Sequence, residues 1–275
     1  MKKQLFLIMA LGFLCTGLLS AQETAQSSLV LQWGMGHLKK QDLTFSPMIH
    51  SGWSPIQIEL GYQRSKRLEQ RVSVHYSEYT SQLDQAFTFY SFYNGEGRNY
   101  PHNFSLLEIN YALGKPLVST ADWQFILGAR SSNSLFLSAY EYGPSGSTAY
   151  YYSFALELWL DVQCQFDEKQ RFEVELAAPA IAFNSRSPYL TQDDPYFEDI
   201  YSHRDLASTL AYIKRGEWQS WGKSQKVTAD LRYSYALIDN LELGIGYGLS
   251  LNANQKPARF VQVEQAFYLT GKVNF

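Results

Sequence analysis

The sequence has little cysteine, little charge and no long apolar run beyond its N-terminal segment. Two cysteines among 275 residues are too few for a disulfide-stapled fold. Nine prolines and 18 glycines are too few for a collagen-like or linker-dominated chain. Acidic residues number 26 against 23 lysines and arginines, and no basic cluster is present, which argues against a nucleic-acid partner. Aromatic residues, in contrast, make up 16% of the chain.

The N-terminal segment predicts a cleaved leader. Two lysines precede the apolar run 5–14, which is too short to cross a bilayer comfortably. The small residues Ser20 and Ala21 then provide a cleavage site. We therefore expect residues 1–21 to be a signal peptide and residues 22–275 to form one domain.

Strict alternation of apolar and polar residues recurs along the rest of the chain. It runs from Phe267 to Phe275, and over a longer stretch from Leu241 to Leu251. Period two over about ten residues is typical of strands that face lipid on one side. Because a sheet in lipid must have no free edge, such strands close into a barrel. The predicted fold is therefore all-β: a transmembrane antiparallel up-and-down β-barrel with short periplasmic turns and long extracellular loops.

Ten strands satisfy the alternation and keep both termini in the periplasm. The longer connections are predicted at 39–53, 82–102, 132–149, 184–223 and 253–257. The segment 184–223 allows two interpretations: an ordered extracellular loop with a short helix capped at Ser202, or two further strands that would give twelve. The predicted strands cover residues 28–38, 54–64, 69–81, 103–114, 121–131, 150–165, 170–183, 224–237, 240–252 and 258–275.

The ending of the chain separates this fold from a soluble β-sandwich or lipocalin-like barrel, which would also alternate. The last strand has apolar residues at alternate positions and closes on an aromatic residue: Phe267, Leu269, Val273 and Phe275. With the leader, this ending resembles the outer-membrane β-barrel proteins of Gram-negative bacteria. The resemblance implies surrounding outer-membrane lipid and an ending read as an assembly signal by the barrel-assembly machinery. The leader followed by Gln22 also resembles exported proteins of Bacteroidota.

If the apolar face meets lipid, the opposite face lines the lumen and carries most of the charge. A ten-stranded barrel lies near the size that side chains fill completely, so we expect these charges to pair and plug the lumen. The surplus of carboxylates keeps a narrow cation-preferring channel as an alternative. Besides His75, Glu175 and Glu264 on the same face, the predicted lumen charge network consists of Glu59, Arg71, Glu108, Arg130, Glu157, Asp161, Glu173, Asp230, Arg232, Glu242 and Lys272.

An aromatic-rich segment between two predicted strands is a candidate ligand-contact loop. Exposed aromatic side chains are suited to contact an external ligand or another envelope protein. The residues concerned are Phe87, Phe89, Tyr90, Phe92 and Tyr93.

Signals for catalysis are weak. The longest loop holds Asp193, Asp194, His203 and Asp205, which resemble the acidic and histidine residues of the ten-stranded omptin proteases in type but not in spacing. A hydrolase acting from the lipid-facing wall would need a serine beside a histidine there, whereas His75 falls on the luminal face. We therefore expect a non-enzymatic barrel, with a rim-located hydrolase as the second alternative. No metal spacing is present, and no cofactor is expected.

Overall fold

The barrel is described from a computed structural model. Among the residues it describes, no helix is long and apolar enough to span a membrane. The predicted leader, residues 1–21, lies outside those residues. The described residues are 26–82, 88–91, 95–98, 102–120, 122–142, 145–187 and 213–275.

β-strands make up nearly all of the described chain. Each of the ten predicted strands overlaps one of them. The strands are β1 (Gln26–Asp42), β2 (Ser46–Ser65), β3 (Glu69–Ser81), β4 (Thr88–Ser91), β5 (Gly95–Arg98), β6 (Asn103–Ser119), β7 (Trp123–Tyr142), β8 (Ser145–Gln165), β9 (Gln170–Arg186), β10 (Glu217–Ser220), β11 (Ser224–Ile238), β12 (Leu241–Asn254) and β13 (Phe260–Asn274).

Ten of the strands form a closed antiparallel ring. Its order is β1-β2-β3-β6-β7-β8-β9-β11-β12-β13, and β13 pairs back onto β1. At this seam Ser27 and Phe275 exchange two backbone hydrogen bonds, of 3.1 and 2.8 Å. The prediction of a ten-stranded barrel is confirmed. Termini and short turns of such barrels face the periplasm, so we call that end periplasmic and the other extracellular.

The extra strand β10 continues the line of β11 toward the extracellular end. Both run antiparallel to β9: Trp218 pairs with Phe183, and further down Thr228 pairs with Ala177. The intervening residues 221–223 form a turn in which the Lys223 N–H donates to the Ser220 carbonyl at 2.9 Å. The barrel therefore has ten strands and not twelve, while residues 188–212, with the predicted helix, lie outside the described part of the chain.

The distribution of burial is that of a membrane barrel and not of a soluble one. Leu158 is 66% exposed on the outer wall, whereas its neighbour Glu157 is 2% exposed and Asp161 is fully buried in the lumen. Five of the six tryptophans also lie exposed on the outer wall, and Trp159 alone is buried. Polar side chains therefore line the inside and apolar ones face outward, as the alternation predicts.

Two predicted loops are instead extensions of strands. β1 and β2 run on to a turn at residues 43–45, which replaces most of the predicted loop 39–53. β7 and β8 likewise reach Tyr142 and Ser145 and replace the predicted loop 132–149. Outside the lipid, the outer face of a strand can be polar, so the apolar alternation that marks a membrane strand is absent there. β6 also continues through Pro116, with an irregularity in its pairing to β7 at that point.

Candidate functional site

Arg71 is the centre of an ion-pair cluster in the periplasmic half of the lumen. From β3 its guanidinium reaches across to Asp161 on β8 at 2.5 Å, and to Glu173 and Glu175 on β9 at 2.6 and 3.1 Å. It also stacks over the buried Trp159 ring, 5.1 Å from its centroid. One guanidinium thus links walls on opposite sides of the barrel through charge-assisted hydrogen bonds.

Arg130 forms the second centre of the same cluster. Its Nε donates to Glu157 at 2.6 Å, and its two terminal nitrogens donate to Glu175 at 3.1 Å and Thr228 at 2.6 Å. We call Arg71, Arg130 and the five carboxylate and hydroxyl partners that they reach on other strands the periplasmic cluster. It comprises Arg71, Arg130, Glu157, Asp161, Glu173, Glu175 and Thr228.

Smaller ion pairs flank the periplasmic cluster. Lys226 on β11 donates to Glu108 on β6 at 2.9 Å. Arg232 donates to Glu173 at 3.3 Å. Nearer the periplasmic mouth, Glu242 accepts from Arg171 at 2.8 Å and lies 3.9 Å from Lys272.

A different cluster lies in the extracellular half of the lumen. Lys40, 2% exposed, points from β1 into four aromatic rings and donates to Ser138 on β7. The distances from its Nζ to the ring centroids range from 4.4 to 5.7 Å, within the reach of cation–π attraction. We call this the extracellular cluster: Lys40, Ser138, Phe104, Phe136, Tyr140 and Phe260.

Arg186 connects several strand ends at the rim above the extracellular cluster. It donates to Asp42 across the barrel at 2.6 Å, and to the carbonyls of Lys256 and Ala258 at 2.7 and 2.6 Å. The His50 ring lies beside the His102 ring, with centroids 5.0 Å apart, and also contacts Tyr140. The mouth is therefore crossed by both charge-assisted and aromatic contacts.

A polar chamber of about 150 Å³ lies between the two clusters. Gln32, Glu59, Asp230 and Glu264 line it, and so do the guanidinium-bearing side chains of Arg71, Arg130 and Arg232. His75 also lines it, with ring nitrogens 3.9 Å from carboxylate oxygens of both Glu59 and Glu264. Glu264 further accepts a 2.6 Å hydrogen bond from Tyr79.

The lumen brings together most of the charged residues that the alternation points inward. Of the predicted lumen charge network, Glu59 and Asp230 are the exceptions, because neither pairs with a Lys or Arg among the described residues; Glu59 lies 3.9 Å from His75. Lys226 was not predicted to face the lumen, although its even position on β11 matched that of Asp230 and Arg232. Lys40 and Arg186 were not predicted either, because they fell within predicted loops and so had no assigned face.

The aromatic candidate loop is described in part. Phe89 and Tyr90 lie in β4, which pairs with β5 as a separate hairpin, and the Tyr90 side chain is 81% exposed. Phe87, Phe92 and Tyr93 lie outside the described residues.

A serine–histidine pair occurs on the outer wall, where the sequence analysis had not placed one. His37 Nε2 and Ser51 Oγ lie 2.8 Å apart near the extracellular end, and the His37 ring packs on Trp53. Among the described residues, no carboxylate pairs with His37. The predicted hydrolase residues Asp193, Asp194, His203 and Asp205 lie outside the described part of the chain.

The residues of the predicted assembly signal all face outward on the last strand. Phe267, Leu269, Val273 and Phe275 are exposed along the seam with β1. Within the described part of the chain, no group of three or more His, Cys, Asp or Glu side chains could hold a metal ion.

A closed ten-stranded barrel with a polar lumen and an apolar outer wall defines an outer-membrane β-barrel protein. The chain is similar in structure to the outer membrane protease OmpT from Escherichia coli, at 7% identity over 93% of this chain and 99% of OmpT, with a TM-score of 0.53. That likeness shows a shared fold. The fold and the apolar wall place the chain in the bacterial outer membrane.

Two further solved structures overlap most of the chain. Neisserial surface protein A is 16% identical over 90% of this chain and 97% of its own, with a TM-score of 0.37. The Pseudomonas putida toluene transporter TodX is 9% identical over 92% and 90%, with a TM-score of 0.36. No protein-family model and no curated protein sequence matches the chain.

Proposed function

We propose that this chain is a non-enzymatic outer-membrane barrel whose lumen is mostly packed by side chains and whose extracellular loops bind an external ligand or another envelope protein. The observation that carries the proposal is that side chains cross the lumen at two levels. Arg71 reaches from β3 to β8 and β9, and Lys40 reaches from β1 to β7. If the lumen is bridged at two levels, solutes do not pass through it. The extracellular loops are then the part of the barrel that acts on other molecules.

Conductance of the refolded barrel in planar bilayers tests the filled lumen. We expect wild-type protein to give no steady current at neutral pH, because both clusters obstruct the path. A steady, cation-selective current would contradict the proposal and favour the channel alternative.

The exposed Tyr90 of the β4–β5 hairpin supports the binding role. Tyr90 presents most of its side chain to solvent, and the neighbouring sequence is rich in Phe and Tyr. Arrays of immobilised glycans and peptides, probed with the barrel in lipid nanodiscs, should give signals that Tyr90→Ala weakens. Trp123→Ala is the matched control because Trp123 is exposed at the periplasmic end. Equal loss in both variants, or no signal at all, would count against a loop-binding role.

A small cation-preferring channel is the first alternative function. The chamber between the clusters favours it, because Glu59 and Asp230 line the chamber without a Lys or Arg partner among the described residues. The conductance measurement above separates this alternative from the filled lumen.

A rim-located hydrolase is the second alternative. OmpT is a protease, but an identity of 7% carries no activity to this chain. The observation that favours hydrolysis is the Ser51–His37 hydrogen bond, since such a pair is the usual form of an activated nucleophile. Hydrolysis of ester or peptide substrates that Ser51→Ala abolishes, or that Asp193→Asn or His203→Ala abolishes, would establish an enzyme.

The remaining partners follow from the sequence resemblance. We infer that outer-membrane lipid surrounds the barrel and that the barrel-assembly machinery inserts it. A Bacteroidota source and a leader cut before Gln22 remain predictions, which mass spectrometry of the mature chain and its source organism would test.

A further inference from the structure

Five carboxylates line the chamber, against three arginines and His75. Each arginine already pairs with a carboxylate of the periplasmic cluster: Arg71 and Arg232 with Glu173, and Arg130 with Glu175. Glu59 on β2, Asp230 on β11 and Glu264 on β13 are among the five, and none of them pairs with a Lys or Arg of the described residues. His75 lies 3.9 Å from two of these carboxylates, whereas Asp230 has neither an ion pair nor a hydrogen bond within that part of the chain. A carboxylate enclosed without a partner is costly, so a positively charged occupant would stabilise the chamber.

Gln32 is a second and independent sign of an occupant. Its side chain is 7% exposed and lies on the chamber wall, beside its strand neighbour Glu59. The amide makes no hydrogen bond to any described residue, although buried polar groups nearly always have a partner. An amide buried in this way and facing a cavity offers both an acceptor and a donor to a bound molecule.

Two glycines in its wall keep the chamber open. A Cβ at Gly248 would lie 2.8 Å from Asp230 Oδ1, so glycine leaves that carboxylate its position. A Cβ at Gly61 would have its nearest neighbour at 3.5 Å, so this wall has room that the native chain does not use.

The size of the chamber and the spacing of its acids indicate the kind of occupant. One water needs about 10–15 Å³ of such space, so a volume of about 150 Å³ holds many waters or a small organic molecule. The acidic residues do not form a group of three that could hold a metal ion, in the part of the chain that the structure describes. Separated acceptors suit an occupant with several separated N–H donors.

We propose that the chamber binds a small organic cation that carries N–H donors, such as an alkylamine or a guanidinium compound. Asp230 and Glu59 balance its charge through charge-assisted hydrogen bonds, and the Gln32 amide oxygen accepts a further one. The site goes beyond the proposed function, because a molecule can occupy a chamber inside a lumen that does not conduct.

Titration calorimetry on the full barrel, refolded into detergent micelles at pH 7.5, tests the site. The probes are methylguanidinium and 1,4-diaminobutane, each also supplied during refolding so that binding does not depend on entry. Tetramethylammonium, which has no N–H donor, and potassium are the comparison cations. We expect saturable binding of the two probes and much weaker binding of the comparison cations.

Isosteric variants locate the binding. Asp230→Asn and Glu59→Gln each remove one negative charge, and each should weaken binding about tenfold or more, which is roughly 1.4 kcal/mol. Gly61→Val retains every charge but occupies the chamber, and it should also abolish binding. Glu217→Gln is the matched control, since that carboxylate pairs with Lys256 on the exposed rim at 3.0 Å, and it should bind like wild type.

Three results would overturn the site. They are no saturable binding by wild-type protein at millimolar probe, equal binding by wild type and Asp230→Asn, and equal binding of tetramethylammonium and the N–H cations. Heat-modifiable migration on gels identifies any variant that fails to fold, and the other two chamber variants then carry the test. Conductance is measured separately, so failure of this site leaves the filled-lumen proposal unaffected.

Discussion

At the scale of single residues, the lumen holds charged groups that are costly to separate. Arg130 and Glu157 are both almost fully buried, and their side chains meet at 2.6 Å. At the exposed rim, Lys256 and Glu217 form a pair whose side chains are 49% and 54% exposed. The two pairs differ mainly in desolvation, which determines what the loss of one partner costs.

Arg130→Met should therefore destabilise the barrel by about 3–5 kcal/mol, because it leaves the Glu157 carboxylate buried without its partner. Adding Glu157→Gln removes that charge and should recover part of the loss. Lys256→Met at the rim should cost no more than about 1 kcal/mol. Urea unfolding in lipid vesicles measures all three variants. Strictly additive effects of the two lumen substitutions would show that the pair is not coupled.

A second residue-scale prediction concerns the lipid-facing wall. Leu158 lies midway along the apolar outer face of β8, and Phe166 lies in the periplasmic turn that follows; their exposed fractions are 66% and 64%. Leu158→Arg should cost about 2–4 kcal/mol of folding free energy in bilayers, and Phe166→Arg about 0–1 kcal/mol, because the cost of a charge depends on depth. Equal costs would place both residues at the same depth and contradict the placement of Leu158 in the membrane-spanning wall and of Phe166 outside it.

At the scale of the strands, the sequence predicted structure only where one face of a strand is required to be apolar by the membrane. In the part of the barrel that spans the membrane, the outer face must be apolar. Alternation therefore predicted ten strands and the inward direction of Glu157 and Arg232. Beyond the membrane-spanning part, Lys39 and Gln41 are on the outer face and the apolar alternation ends. For that reason the extensions of β1 and β2 were predicted as loops. β10 was missed for another reason: a three-residue turn separates it from β11, and four residues are too short for a periodic signal.

The seam between β1 and β13 brings a glycine close against the backbone of the opposite strand. Gly34 pairs with Tyr268, and a Cβ at Gly34 would lie 2.1 Å from the Phe267 carbonyl oxygen. On the same pair of strands, a Cβ at Gly271 would meet nothing closer than Leu243 at 3.9 Å. The two glycines therefore share a seam but have different space around them.

Gly34→Ala should lower the free energy of unfolding by about 1–3 kcal/mol, because the added methyl group forces β1 and β13 apart. Gly271→Ala should be neutral or stabilise by up to about 1 kcal/mol, since it reduces the freedom of the unfolded chain without a clash. Guanidinium or urea melts of the two variants in one detergent give the comparison. A loss of the same size at Gly271 would mean that the seam responds to flexibility and not to space.

At the scale of the whole molecule, the sequence predicted which charges face inward but not which of them meet. Arg71 pairs with Glu173 and Glu175 on β9, four strands further around the ring. Such a partner depends on strand tilt and register, which bring distant positions to one height, and neither is encoded in local periodicity. The chamber was unpredictable for the same reason, because it depends on Gly61 and Gly248 on separate strands.

The two clusters lie one above the other along the lumen, and the proposal that both obstruct it gives the last prediction. Resistances in series add, so removing one obstruction leaves the other to dominate the current. Arg71→Ser should empty the centre of the periplasmic cluster, and Phe136→Ser should open the aromatic wall around Lys40 in the extracellular cluster. Each variant alone should conduct little more than wild type in planar bilayers, whereas the double variant should conduct several times more than either.

Phe166→Ser is the matched control for that measurement, because Phe166 lies outside the lumen in a periplasmic turn. It should leave the conductance at the wild-type level, and heat-modifiable migration should show that all the variants are folded. A single variant that conducts as well as the double one would mean that one cluster alone closes the barrel. If that variant were Arg71→Ser, the ion pairs around Arg71 would be the barrier to ions, and the extracellular cluster would contribute to packing and not to the barrier.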